Sequence, residues 1–163
     1  MHADQAKAVA QALGQQLQSE WMTTVKVLEA IPEANKTWKP DEKARSAWDL
    51  AVHIASSDVW FLDGVLNQQF GKPGDTGATT IAELVAWYKA NFPQKLEDVL
   101  ALDGAKLATI VDFHGMKLPA AHYMVFCAVH GAHHRGQLAT YLRPMGSKVP
   151  AIYGGSADEA FPG

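Results

Sequence analysis

Residues 119–142 read PAAHYMVFCAVHGAHHRGQLATYL, and this stretch has the features of one long helix. Pro119 suits the first position of a helix, because its missing N–H would have no partner there in any case. Pro144 and Gly146 come directly after the stretch and are typical of the end of a helix. We therefore predict a last helix that runs from Pro119 to about Leu142.

Three segments upstream also repeat apolar residues at helical spacing. The first runs from about Asp4 to Ile31, where Pro32 should end it. The second and third begin at Ser46 and Thr80, each followed three residues later by an acidic residue, as in a capping box. The predicted apolar stripes are Ala8, Ala12, Leu17, Trp21, Val25 and Leu28, then Leu50, Ile54, Ser57, Phe61 and Val65, then Ile81, Leu84, Val85, Tyr88, Phe92, Leu96 and Leu100.

Four helices and little strand predict an all-α fold, a four-helix bundle that forms one domain over residues 1–163. We expect Pro93 to kink or interrupt the third helix. A short hairpin-like stretch is expected from Thr109 to Phe113, and the tail from Val149 to Gly163 should lie over the bundle as coil. The connection between the second and third helices is long enough for a crossover, so simple up-down topology does not follow.

The composition excludes several classes of function. The formal net charge is −3, with 14 basic and 17 acidic residues and no run rich in lysine or arginine, so we expect neither nucleic acid nor a membrane surface as a partner. No apolar stretch reaches the roughly 18 residues that span a bilayer. Cys127 is the only cysteine, which excludes an intramolecular disulfide and fits a reducing compartment. The first residues do not resemble a signal peptide, and we expect a cytoplasmic protein.

Histidines on the predicted helices indicate a metal site. His130 and His134 are four residues apart, so they lie one turn apart on one helix face and can share an ion. A third ligand must come from another helix, and His53 is the best candidate, because an imidazole in an apolar stretch needs partners for its nitrogens. Three histidine ligands leave a position open, as in catalytic zinc sites.

The other chemistry-bearing residues have competing interpretations. The zinc-protease signature is excluded, because Gly131 stands where its glutamate would be. His133 could replace His134 as a ligand, and His122 could line the same cavity or lie on the surface. His114 and His2 are expected in a loop and a frayed terminus, and Cys127 is expected to be a buried, inert thiol.

The sequence resembles the DinB/YfiT-like superfamily, over essentially the whole chain. The block from His130 to Gln137 is similar to the family's terminal-helix signature His-x-x-x-His-Arg-Gly-Gln, and the stretch from Trp48 to Ile54 is similar to its second-helix motif. The resemblance implies a bundle with up-down-down-up connectivity. It also implies a divalent metal, zinc or nickel, bound through the residues that match the family's three histidines, namely His53, His130 and His134.

Relatives in this superfamily include thiol-dependent isomerases and thiol S-transferases. We therefore expect a metal-dependent enzyme, either a hydrolase or a low-molecular-weight-thiol S-transferase, that acts on a small-molecule substrate or thiol. The alternatives are a non-catalytic metal- or small-ligand-binding stress protein that acts as a homodimer, and a helical domain with a vestigial site. Within the signature, Gly136 should permit close helix approach, Arg135 should pair with Asp58 or Glu20, and Gln137 should support a ligand.

Overall fold

The computed structural model describes residues 1–160, and the last three residues of the predicted domain lie outside the described part. Four long helices form the bundle, as predicted. A short helix and a two-stranded antiparallel hairpin connect the third long helix to the last one. The elements are α1 (Ala3–Glu29), α2 (Ala47–Asn67), α3 (Ile81–Ala101), α4 (Gly104–Ala108), β1 (Ile110–Phe113), β2 (Met116–Pro119) and α5 (Tyr123–Leu142), with 3-10 turns at Glu33–Asn35 and Ala120–His122.

The predicted starts of α2 and α3 are confirmed. The Ser46 hydroxyl accepts a hydrogen bond from the Asp49 amide, so it caps the first turn of α2. Thr80 and Glu83 form a complete capping box, in which each side chain bonds the backbone of the other residue. Because a cap satisfies amides that have no partner inside the helix, these residues fix where the two helices begin.

The prediction that Pro119 begins the last helix is wrong. Pro119 is the last residue of β2, opposite Ile110, and α5 begins only at Tyr123. The Tyr123 hydroxyl donates to the carbonyls of Val111 and Met116, so it anchors the start of α5 to the hairpin. Strand pairing therefore places Pro119 in the hairpin, although the sequence predicted it in the helix. Of the two effects expected of Pro93, an interruption of α3 does not occur, since the buried side chains on either side of it hold the helix in the core.

The four long helices form a closed ring in which α2 packs between α3 and α5, and α1 packs against the same two helices from the other side. The predicted stripe of α2 is buried, and so is that of α3 except for the partly exposed Leu100. The early part of the α1 stripe is wrong, because Ala8 and Ala12 are exposed and Ala6 and Ala10 are buried instead. Alanine is small enough to suit either face, so periodicity alone could not distinguish the two.

From Val149 to residue 160 the tail is coil, as predicted, and it contacts the bundle through Tyr153. The Tyr153 hydroxyl donates to the Glu20 carboxylate at 2.8 Å, and its ring lies over the Arg135 guanidinium. Within residues 1–160, none of the helices combines the length and the apolar character that a bilayer crossing requires. The most extensive helix contact joins α2 to α5, and the predicted histidines lie along it.

Candidate metal centre

The three predicted histidines meet between α2 and α5. The His53 Nε2 atom lies 3.1 Å from His130 Nε2 and 3.3 Å from His134 Nε2. One nitrogen of each ring falls within 4.8 Å of those of the other two. The planes of the three rings are steeply inclined to one another, at interplanar angles of 68°, 80° and 67°.

Helix geometry explains this convergence. His53 follows Leu50 by three residues and precedes Ile54, and both of those side chains are fully buried, so its ring lies at the border of the core face of α2. His130 and His134 lie one turn apart on the side of α5 that packs against α2. All three rings are half-buried, so each keeps part of its surface in contact with solvent.

The outer nitrogens of two rings have hydrogen-bond partners. The His134 Nδ1 atom lies 3.1 Å from Gln137 Oε1, and the Gln137 amide nitrogen donates to the Tyr141 hydroxyl at 3.3 Å. Because an amide oxygen only accepts, His134 must carry its proton on Nδ1 and present a lone pair on Nε2. The Ser57 hydroxyl lies 3.3 Å from His53 Nδ1 and holds that ring from the opposite side.

The sequence indicated Gln137 as a support for a ligand, and the structure agrees. Ser57 and Tyr141 were not predicted in this role, although each lies four residues from a residue that was. The i, i+4 rule, applied to the candidate ligand His53 and to Gln137, would have found both.

His130 differs from the other two histidines. Its Nδ1 atom is buried and makes no hydrogen bond within residues 1–160. The ring packs edge-on against Phe61, with 5.5 Å between ring centroids. Phe61 belongs to an aromatic cluster that joins α2 to the hairpin, so this ring is held by packing more than by polar contacts.

Electrostatics keeps these imidazoles neutral. Burial, with smaller contributions from Arg45 and neighbouring histidines, lowers the pKa of His53 and of His130 to about 4. Burial also lowers the pKa of His134, and the hydrogen bond with Gln137 opposes the shift. Neutral imidazole is the form that binds a metal ion, so near pH 7 the rings need not lose a proton first.

The spacing fits a transition-metal ion. Ligand nitrogens about 2.0–2.1 Å from a tetrahedral ion lie about 3.3 Å from one another. The separations of 3.1 and 3.3 Å match that value. The donor set also suits zinc, copper, nickel or iron, for which imidazole is a common ligand. The three-histidine cluster is therefore compatible with a divalent metal site.

The other histidines lie outside the cluster. His133 is exposed and points its ring at the edge of His134, and it does not take the place of His134. His122 is half-buried in the 3-10 turn before α5, with a buried Nδ1 atom that has no partner in the described part of the chain. His114 lies in the exposed turn of the hairpin, as expected. His2 is also exposed but is not frayed, because it is the N-cap of α1 and its amide donates to Gln5 Oε1 at 3.1 Å.

A buried polar group lies beside the cluster. The Asp58 carboxylate accepts a hydrogen bond from the Tyr88 hydroxyl at 2.7 Å, and burial raises its pKa to about 7. The Cys127 thiol is buried and donates to the Asp58 carbonyl at 3.6 Å, and burial raises its pKa well above the usual value. The expectation of an inert thiol therefore agrees with the structure.

The remaining signature residues have structural contacts. Arg135 is 1% exposed and pairs with Glu20, one of its two predicted partners. The role assigned to Gly136 is wrong, because a Cβ atom there would meet open space. Gly131 has that role instead, since its Cβ atom would lie 3.2 Å from the Asp58 carboxylate.

Comparison with known proteins gives consistent results. The model of the DinB family matches residues 4–160. DinB-like proteins from Bacillus subtilis and Bacillus cereus have similar folds, with TM-scores of 0.73 and 0.74. Each is 22% identical in sequence, and the aligned regions cover 86% and 88% of this chain and 97% of each of the other two.

One curated relative is similar over a shorter stretch. The uncharacterized protein YrdA of Bacillus subtilis is 37% identical over 49 residues, which are 30% of this chain. The stretch spans 29% of YrdA, less than a third of its length.

Proposed function

Because the chain belongs to the DinB family, we propose that it binds one divalent metal ion through His53, His130 and His134. The observation that carries the proposal is that His53 Nε2, on α2, lies 3.1 Å from His130 Nε2 and 3.3 Å from His134 Nε2, both on α5, with one nitrogen of each ring within 4.8 Å of the other two. A cation at that centre would accept a lone pair from each of the three neutral imidazoles and would hold their nitrogens at this short spacing. Zinc and nickel are the proposed metals.

The outer contacts of the rings support this proposal. Metal-binding histidines usually donate their second N–H to an oxygen, which fixes the tautomer and the ring orientation. Gln137 is placed to accept from His134 in this way, and the Ser57 hydroxyl is placed to do so for His53. The third ring has packing in place of such an acceptor.

We propose that the protein is an enzyme, either a hydrolase or a low-molecular-weight-thiol S-transferase, that acts on a small molecule or thiol. An ion with three histidine ligands and an open position acts as a Lewis acid towards water, a carbonyl group or a thiol. The rings are half-buried and keep part of their surface exposed, so such a ligand would approach from solvent. Cys127 is not a candidate nucleophile, because its thiol is buried and protonated.

The alternative is a non-catalytic metal- or small-ligand-binding protein of a stress response. This alternative is supported by the lack of a general acid or base at the site, since no carboxylate belongs to the histidine cluster within residues 1–160. A homodimer and a cytoplasmic location remain predictions of the sequence.

We also infer the up-down-down-up order of the long helices. Contacts of Asp58 with Tyr88 and of Asp63 with Lys95 support α2 and α3 running in the same direction. The Lys7 amino group bonds the carbonyl of Leu100 at the far end of α3, which supports α1 and α3 running in opposite directions.

Metal analysis of the full-length protein, purified without a histidine tag, tests the proposed site. We expect about one zinc or nickel ion per chain, lost in His130→Ala and in His53→Ala. His133→Ala is the matched control, because this exposed neighbour lies on the same helix and should leave the metal content unchanged. Equal loss in the control, or a wild-type protein that takes up no metal, would contradict the proposal.

Activity measurements then separate the two candidate functions. Metal-loaded protein is assayed with a panel of esters and with a panel of thiols and electrophilic acceptors. Turnover that disappears in His130→Ala and persists in His133→Ala supports the enzyme. Inertness across both panels favours the binding protein.

A further inference from the structure

The side of α5 that faces away from the bundle, all of it within the described residues, has no acidic, lysine or arginine side chain. Residues 122–140 include a single residue of these types, Arg135, which is 1% exposed. Val125 and Val129 lie one turn apart on the outward side and are 39% and 63% exposed. We call this side the α5 outer face, and its main members are His122, Val125, Phe126, Val129, Ala132 and Gly136.

The helices on either side of the bundle have charged outer faces instead. The helix α1 exposes Lys26 and Glu29, and α3 exposes Glu97 and Asp98. Charged side chains keep a surface in water, because their removal from water is unfavourable. Exposed valines without neighbouring charges gain free energy when a partner covers them. The last helix therefore has one apolar side toward the core and a second toward solvent.

The order of residues along the α5 outer face fits a second copy of the same chain. The bulkier Val125 and Phe126 come before Val129, and the small Ala132 and Gly136 come after it. A two-fold axis joins the same face of both copies. If two copies of α5 pair antiparallel about Val129, the bulky half of each helix meets the small half of the other. No like charges meet in this arrangement, because the face has none.

The area of the face is sufficient for a dimer. The helix α5 has 20 residues, which corresponds to a length of about 30 Å. A strip of that length and about 20 Å wide, the width of a helix and its flanks, covers about 600 Å² per copy and about 1,200 Å² in total. Specific protein interfaces begin at about this size.

We propose that the α5 outer face is the interface of a homodimer, in which two copies of α5 pack antiparallel about Val129. The inference does not rest on the metal site, because His130 and His134 lie on the side of α5 that packs against α2. A membrane surface suits the face less well, since helices that lie on membranes usually carry lysine and arginine beside their apolar face.

Sedimentation of the full-length protein at micromolar concentrations tests the proposal. We expect a particle of twice the chain mass of 17.7 kDa. Val129→Glu would bring two carboxylates together at the centre of the interface and should weaken the dimer at least about 100-fold. Val125→Glu should weaken it as well. Met22→Glu adds the same charge at a 50% exposed position on α1 and is the matched control, which should stay dimeric. Circular dichroism checks that each variant is folded.

A charge swap tests the position of the axis. Val129→Lys alone should also dissociate, whereas an equimolar mixture with Val129→Glu should form dimers again, because opposite charges then meet. A mixture that stays monomeric would overturn the pairing about Val129. A monomeric wild type, a dimer that Val129→Glu leaves intact, or an equal loss in Met22→Glu would overturn the interface. A monomeric wild type that binds phosphatidylcholine vesicles, and loses this binding in Val129→Glu, would assign the face to lipid instead.

Discussion

Asp58→Asn should make the stability of the protein less dependent on pH. Burial raises the pKa of Asp58 from 3.8 to about 7, against the hydrogen bond from Tyr88 and the charge of Arg135. Asparagine keeps an oxygen that can accept the Tyr88 hydrogen bond, and it cannot ionise. The substitution therefore tests the protonation of one buried carboxyl group and leaves most of its contacts in place.

The sign follows from the protons bound in each state. Below pH 3.8, Asp58 is protonated in both the folded and the unfolded chain, so folding is unaffected by pH. As the pH rises from 3.8 to about 7, the unfolded chain loses this proton and the folded chain keeps it, which favours unfolding. Above about pH 7 the loss of stability is complete.

The magnitude follows from the same shift. One unit of pKa corresponds to about 1.4 kcal/mol, so this fully buried group should cost the wild type about 3 kcal/mol between pH 4.5 and 7.5. We expect the free energy of unfolding of Asp58→Asn, relative to wild type, to rise by that amount over the same interval. Urea unfolding followed by circular dichroism measures it, with a chelator present so that a bound ion does not contribute.

Asp63→Asn is the matched control, because it removes a partly exposed carboxylate from the same helix. Its stability relative to wild type reports the general effect of one negative charge less on α2. If the difference between Asp58→Asn and wild type is the same at both pH values, Asp58 is already ionised in the folded protein. The explanation by burial would then be refuted.

Three further outcomes are expected. Gln137→Leu should weaken metal affinity about 10- to 100-fold, measured by competition with a chromogenic chelator, because the imidazole it contacts loses its acceptor; unchanged affinity would show that this contact is dispensable. Gly131→Ala should lower the melting temperature, since the added Cβ atom would press on Asp58. Gly136→Ala should leave the melting temperature unchanged or raise it, because its Cβ atom would meet open space and alanine favours a helix. A lower melting temperature for Gly136→Ala than for Gly131→Ala would contradict the packing. Cys127 should resist Ellman's reagent in the native protein and react after unfolding in guanidinium, and rapid native reaction would argue against its burial.

Much of the architecture follows from local sequence signals. Ser46 and Thr80 each make a hydrogen bond within their own turn, so three residues of sequence are enough to locate a helix start. The end of the last helix at Leu142 follows as directly from the breakers after it. The prediction that Pro119 begins a helix failed because this residue pairs with Ile110 in the neighbouring strand. A rule about helix ends does not consider such a distant contact.

The site shows the same division between local and distant contacts. The pairing of His130 with His134 is a matter of helix period, and the sequence predicts it. Their approach to His53 depends on how α2 packs on α5, and the apolar stretch around His53 made it only a candidate. The close contact of Gly131 with Asp58 is set by the depth of that packing, which is why the sequence assigned the role to the wrong glycine.

The two helices that supply the imidazoles are remote in the chain, since His53 and His130 are separated by 77 positions. An ion shared by them would act as a reversible cross-link that closes a long loop, in a protein whose single cysteine excludes the covalent kind. Closing a loop of this length removes much conformational freedom from the unfolded chain. Such an ion would therefore stabilise the fold as well as take part in chemistry. Its release would lower the stability of the bundle and weaken the interface between α2 and α5.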